Sequence, residues 1–324
     1  MRIKKVVVFT LIIMLLALSL AGCGSDEKTE TEGKYTVKIA MQYGLSYAPL
    51  KVVMEQKLIE KNCDNVEVEW VTLNSGTAIT EALASGDLDF GAMGVAPAVT
   101  AVNAGVPVKI ASNISAQPQK LMTNDPNIKS INDITDEQIA LVTIGSIQHI
   151  TLAMAAKEYL GDAHALDNNI TAMSHPDGMT SLLTGAIPMQ LTSSPYIYKE
   201  MDEGMTEVKE ISDIWPDGKS FIVMLGTNKI YEDNPEVYEG VTEALAEAID
   251  YINNNKEESA EMLCEQEDVT KEVMLDWLNY PGSIYSKETT GVLSMATFMI
   301  NEGFIKGDVP ESLDELAFDN VEGN

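Results

Sequence analysis

The chain has 324 residues, 45% of them hydrophobic and 22% charged, with a formal net charge of −29. A surface this acidic repels polyanions and excludes nucleic acid as a partner. The hydrophobic share is that of a packed globule, and the length suffices for two ordinary domains.

The N-terminus reads Met1-Arg2-Ile3-Lys4-Lys5, followed by an apolar run from Val6 to Leu18 and then Leu20-Ala21-Gly22-Cys23. A basic start, a short apolar stretch and small residues before a cut describe a secretion signal. The run is short for a spanning helix, which needs about 20 apolar residues, and no later stretch approaches that length. Leu20-Ala21-Gly22-Cys23 resembles the bacterial lipobox, which implies cleavage before Cys23 and a lipid on its sulfur. The expectation is a signal peptide over 1–22 and an extracytoplasmic protein anchored to the cell membrane by lipidated Cys23. Loss of Arg2, Lys4 and Lys5 with the signal takes the net charge from −29 to −32 and leaves no arginine. The usual bidentate clamp for carboxylate, sulfonate or phosphate is then absent. Residues 23–34 carry nothing able to join a core and read as a flexible tether.

Tyr35 to Met41 alternates at period two and predicts a strand. Over 47–61, Leu50, Val53, Met54 and Leu58 recur at the spacing of one helix face. A second alternating strand covers 66–71, and a helix over 77–85 is closed by Gly86. A strand over 88–93, a helix over 97–104 and a strand over 108–114 complete the first series. The pattern then restarts. Strands over 138–142, 169–173 and 189–192 alternate with helices over 150–160 and 177–184, the last closed by Gly185. Placing Gly86 over Gly185 sets Met93 on Thr192 and Asp89 on Pro188, a weak internal echo. Proline removes a ladder donor, so the strand at 189–192 is expected at an edge or with a bulge. A strand over 221–225 and helices over 235–255, 271–278 and 290–302 finish the chain.

Strands separated by helices imply parallel pairing with right-handed crossovers. The predicted architecture is α/β with two lobes, each a mostly parallel sheet flanked by helices, and a ligand cleft between them. Lobe 1 takes residues 35–117 and 222–324, lobe 2 takes 118–221, and the chain crosses near 115–120 and 218–224.

In open α/β sheets ligands bind beyond the carboxyl ends of strands, where loops enter helices. Six loops meet that description: 42–47, 74–77, 93–96, 145–149, 175–177 and 192–196. They supply Gln42, Tyr43, Ser46, Tyr47, Asn74, Ser75, Thr77, Met93, Gly94, Val95, Ser146, His149, His175, Asp177, Thr192, Ser193 and Tyr196 as candidate ligand-binding residues. Free backbone N–H groups at helix starts suit a small polar or anionic group, although the same Ser, Thr and Asn residues also serve as caps. None of the six loops holds a lysine. An anion would therefore depend on backbone N–H groups, hydroxyls and His149 or His175. A neutral heteroaromatic ligand would instead stack on Tyr43, Tyr47 or Tyr196 and bond to Gln42, Asn74 or Asp177. Trp215 either closes over the cleft or packs between the lobes.

His149, His164 and His175 follow no compact metal-ligand spacing. Cys63 and Cys264 have no catalytic context, and their pairing is open. No Gly-x-Ser-x-Gly, P-loop or Gly-x-Gly-x-x-Gly occurs. No catalytic residue, metal or cofactor is expected.

Glu81-Ala-Leu-Ala-Ser-Gly-Asp-Leu-Asp-Phe-Gly-Ala-Met-Gly94, with Pro97 after it, resembles the first-lobe signature of the nitrate/sulfonate/taurine/thiamine-precursor substrate-binding proteins of ABC importers. Gly145-Ser146 with His149 is similar to that family's second-lobe Gly-Ser-x-x-His turn. Ser194-Pro195-Tyr196 stands where the family usually shows Trp-acidic-Pro-Tyr/His, with Ser193 and Ser194 replacing the Trp-acidic pair. Residues 298–306 fit its last helix and turn. The resemblance covers nearly the whole chain after the signal and implies a periplasmic-binding-protein-like (type II) fold. It further implies a lipid-anchored, monomeric, non-enzymatic binding protein that delivers a small molecule to an ABC permease and ATPase complex. The cargo would be of sulfonate, nitrate or taurine type, or a thiamine precursor or other heteroaromatic, captured by hinge closure. A ligand-sensing surface receptor module and a precursor-processing enzyme on the same fold are the other readings.

Overall fold

Residues 34–324 are described in the computed structural model. The expected signal peptide, Cys23 and the tether up to residue 33 lie outside the described residues. The strands are β1 (Tyr35–Met41), β2 (Val66–Thr72), β3 (Phe90–Gly94), β4 (Val108–Ala116), β5 (Gln119–Thr123), β6 (Ile139–Leu141), β7 (Ile170–Ala172), β8 (Met189–Ser193), β9 (Thr206–Val208), β10 (Ile222–Thr227) and β11 (Ile284–Tyr285). They form a six-stranded sheet in the order β11-β4-β10-β3-β1-β2 and a five-stranded sheet in the order β7-β6-β8-β5-β9.

Burial explains the sequence patterns. β2 sits at an edge, so its solvent-facing Glu67 and Glu69 alternate with apolar residues. β3, in the middle of its sheet, is buried at every position and shows no alternation. Gly91 in β3 has a packing reason as well. A β-carbon there would stand 2.3 Å from Ile79 Cγ2, so only glycine lets the helix Gly76–Ser85 lie this close to the sheet.

Each sheet has its own core. Val37, Ile39, Phe90 and Ile110 of the larger sheet pack with Val241, Leu245, Ile249 and Ile252 of the helix Pro235–Asn254. Leu121, Ile139, Leu141, Met189 and Leu191 form a second cluster with Leu152 and Ile211. Each such burial stabilises by roughly 1.5–3 kcal/mol, and both clusters lie within one compact unit over 35–324.

Four expectations need correction. Strand pairing is mixed, because β10 lies antiparallel between β3 and β4, and β5 lies antiparallel between β8 and β9. No helix separates β4 from β5, so the chain passes directly from one sheet to the other. β8 is the middle strand of its sheet rather than an edge. Pro188 precedes its first residue, where its carbonyl accepts from Asn124 N and Thr123 Oγ1 and no ladder donor is missed. The helix expected over 47–61 is broken at Lys57, whose φ of 52° divides Ala48–Gln56 from Leu58–Asn62. The strand expected over 88–93 begins two residues later, because Asp89 turns its carboxylate to Lys38 N.

Cys63 and Cys264 are both free thiols. Trp215 is buried in the main core, and its Nε1 donates to Ser220 O at 3.3 Å.

Candidate functional site

A cavity lies where the carboxyl ends of β1, β3 and β8 meet the start of β10. Four helices begin at its wall. Gly76 opens Gly76–Ser85, Gly94 precedes Val95–Asn103, Ser146 and Ile147 open Ile147–Leu160, and His175 opens His175–Leu183. Each helix start carries about half a positive charge, and its first N–H groups lack intrahelical partners. Ser75, Ser146 and Ser174 cap three of the helices by accepting from Ala78 N, His149 N and Asp177 N. The fold thus aims four positive helix ends at one point.

The side chains around that point are neutral donors. Ser46 is 1% exposed, and its Oγ has no hydrogen-bond partner. Ser146 Oγ spends its lone pair on His149 N, which leaves its hydrogen free. Burial raises the Tyr47 phenol far above its ordinary pKa, so it stays protonated. Gln148 Nε2 donates to His175 Nε2 at 3.3 Å, and His175 Nδ1 donates to Thr192 Oγ1 at 3.0 Å. Burial pushes the His175 pKa down to about 4, so this imidazole is neutral near pH 7. Among the described residues, no lysine or carboxylate lines the cavity.

The cavity holds only about 30 Å³, room for one or two waters. Beyond Gln42 and Tyr43, which line both spaces, lies an outer chamber of about 400 Å³. Tyr43, Tyr196, Lys51, Lys199 and Glu267 line this chamber. Tyr196 stacks on His175 with ring centroids 5.4 Å apart, forming part of the partition. Glu267 takes both lysines there, Lys51 at 2.7 Å and Lys199 at 3.7 Å.

Of the sequence-predicted residues, the fold brings Gln42, Tyr43, Ser46, Tyr47, Gly94, Ser146, His175 and Ser193 to the cavity wall. Thr192 lies one step behind, on His175, and Tyr196 faces the outer chamber. Met93 and Val95 flank Gly94 inside the main core, and Ser75 is occupied as a cap. Asn74, Thr77 and Asp177 are exposed and line neither space. His149 turns away from the cavity, accepting from Gly145 N and meeting Asp167. The sequence reading missed Gln148, Gly76, Pro97, Val142, Ile147, Phe221 and Ile222. Phe221 and Ile222 reach the cavity because β10 runs antiparallel and so starts where its neighbours end. Gln148 and Ile147 carried a weak signal, their place directly after the Ser146 cap.

Residues 30–265 match the model of the NMT1-like family. Over 272 residues the chain is 22% identical to the putative aliphatic sulfonates-binding protein of Escherichia coli K12, spanning 82% of this chain and 83% of that protein. Among solved structures, the periplasmic aliphatic sulphonate binding protein SsuA from Escherichia coli superposes with a TM-score of 0.67 at 19% identity, covering 89% of this chain and 93% of that one. The periplasmic nitrate-binding protein NrtA from Synechocystis PCC 6803 gives 0.65 at 16% identity, covering 89% and 86%. At these identities the likeness shows the fold, which is the two-sheet α/β periplasmic-binding-protein fold.

Proposed function

The chain belongs to the NMT1-like family, and on that premise we propose that it is the substrate-binding component of an ABC importer, taking a small molecule with an oxyanion head. The observation that carries this reading is the convergence of four helix N-termini on a cavity where the buried Ser46 hydroxyl has no partner. The Ser46, Ser146 and Tyr47 hydroxyls at the wall can each donate a hydrogen bond, which suits an acceptor-only head and needs no arginine. Organic substituents on that head would extend into the outer chamber, over Tyr43 and Tyr196.

Lobe 1 (35–117 and 222–324) and lobe 2 (118–221) act as jaws. The open form admits ligand, and closure surrounds it with donors from both sides; no bond is made or broken. Leu20-Ala21-Gly22-Cys23 supports an extracytoplasmic lipoprotein held to the membrane at Cys23 and docking as a monomer on a permease and ATPase. The tyrosines of the outer chamber favour one second reading, a neutral heteroaromatic cargo stacked there.

A thermal-shift screen with nitrate, methanesulfonate, taurine and an aminopyrimidine separates the two. A ligand at a hundred times its dissociation constant stabilises by about 2.7 kcal/mol. Stabilisation by the aminopyrimidine alone would replace the oxyanion reading with the second.

A further inference from the structure

On the far side of the Gly145–Ser146 turn, a string of hydrogen bonds runs from the cavity to the end of the helix Val292–Asn301, at the seam between the two cores. Gly145 N donates to His149 Nδ1 at 3.0 Å, so that nitrogen carries no hydrogen and the ring donates from Nε2 to Asp167 Oδ1 at 3.3 Å. His149 is therefore a neutral ring of fixed tautomer. The other Asp167 oxygen, Oδ2, lies 2.8 Å from His164 Nδ1. His164 Nε2 lies 2.9 Å from the main-chain oxygen of Glu302. Both partners of His164 are acceptors only. A neutral imidazole has one N–H and satisfies one of them; only the imidazolium satisfies both.

The two acceptors stand beside different cores. Asp167 follows Leu166 of the five-stranded sheet's core and leads into β7 of that sheet. Glu302 ends the helix Val292–Asn301, whose Val292 and Met295 belong to the core of the six-stranded sheet. The Glu302 carbonyl stands at a helix C-terminus, where the macrodipole favours a cation. Phe304, just beyond, packs on both rings, with centroids 5.4 Å from His149 and 4.5 Å from His164. The charged and titratable groups around His164 are Asp162, Asp167 and His149 on its own side, with Lys157 bonded to Glu302 across the seam. His164 is half-exposed, so protons reach it freely.

We propose that His164 is a proton-operated latch: as an imidazolium it ties Asp167 to Glu302 across the seam, and through Asp167 and His149 it holds the Gly145–Ser146 turn at the cavity. Closure takes up a proton and proton loss loosens it, so the closed form is favoured on the acid side of the His164 midpoint. This inference rests on the hinge-closure reading for its effect on cargo, not for the state of the ring.

The chain has three histidines, which makes their ring signals separable by NMR. In the full chain, the His164 midpoint should lie above the ordinary value of about 6.5, in the direction its two acceptors push it. Solution scattering of the full chain should give a larger radius of gyration at pH 8.5 than at pH 5.5. His164→Gln should abolish that difference, and Lys157→Gln should keep it. A midpoint at or below the ordinary value overturns the latch, as does a pH-dependent radius that survives His164→Gln. If His164→Gln fails to fold, the wild-type ring titration still decides. A radius that responds to saturating methanesulfonate but not to pH sinks the latch alone, whereas one that responds to neither sinks hinge closure as well.

Discussion

Gly94 and Ile147 face each other across the cavity so closely that a β-carbon on Gly94 would stand 2.8 Å from Ile147 Cγ2. Gly94 ends β3 of the six-stranded sheet, and Ile147 opens a helix that runs from that sheet's core, with Ile147 and Ile150, into the other core, with Leu152. A branched side chain cannot yield there without leaving its rotamer. Gly94→Ala should therefore hold the jaws apart, weakening methanesulfonate binding about tenfold or more, about 1.4 kcal/mol. Adding Ile147→Ala should restore much of the loss, and calorimetric titration of the single and double variants checks both statements.

Ser46 offers a cleaner separation of stability from binding. Its hydroxyl is buried without a partner, an arrangement that costs a folded chain about 1–3 kcal/mol. Ser46→Ala should leave the unfolding midpoint unchanged or raise it, while ligand affinity falls. Unchanged affinity for every ligand bound by the parent would remove Ser46 from the site.

Glu200 gives the pH dependence of stability. The residue is fully buried, neither carboxyl oxygen has a partner, and burial raises its pKa to about 8. The unfolded chain releases this proton near the ordinary glutamate value of about 4.3, so between the two values the folded state binds more protons. Stability should be greatest below the lower value, fall as pH rises, and level off above about pH 8. Glu200→Gln should flatten that slope, as urea unfolding from pH 5 to pH 8.5 would show.

Glu267 balances two lysines in the wall of the outer chamber. Its contact with Lys51 is short and largely buried, whereas Lys199 is farther away and more exposed. Lys199→Gln should cost under about 1 kcal/mol, because the pair is long and Lys199 keeps partial contact with solvent. Glu267→Gln strands the poorly hydrated Lys51 and should cost more, about 1–3 kcal/mol. Equal losses in urea unfolding would contradict this division.

The sequence made some of these features legible and hid others for physical reasons. Helix starts carry a local mark, the cap: Ser75 and Ser146 each accept from a backbone N–H three residues on, yet only the first start lies within a residue of its expected place, and the helix expected from 150 begins at Ile147. The amphipathic stripe of Pro235–Asn254 was readable for the same kind of reason, a period written along one element. Strand direction leaves no such mark. The antiparallel insertion of β10 was invisible, and with it the arrival of Phe221 and Ile222 at the cavity. β9 and β11, at three and two residues, are too short to show a period. Nor does composition tell which way a polar loop residue faces: Ser46 points inward, while Asn74, Thr77 and Asp177 are exposed.

An oxyanion head should sit on the converging helix ends without any cationic side chain. Calorimetric titration of the full chain with methanesulfonate and nitrate, at low and high sodium chloride, tests it most directly. At least one anion should bind saturably, about tenfold or more weakly in Gly94→Ala, and with only weak dependence on salt, since the donors are buried and neutral. Binding that collapses with rising salt, or tight binding of an uncharged aminopyrimidine with no anion bound at all, would contradict it.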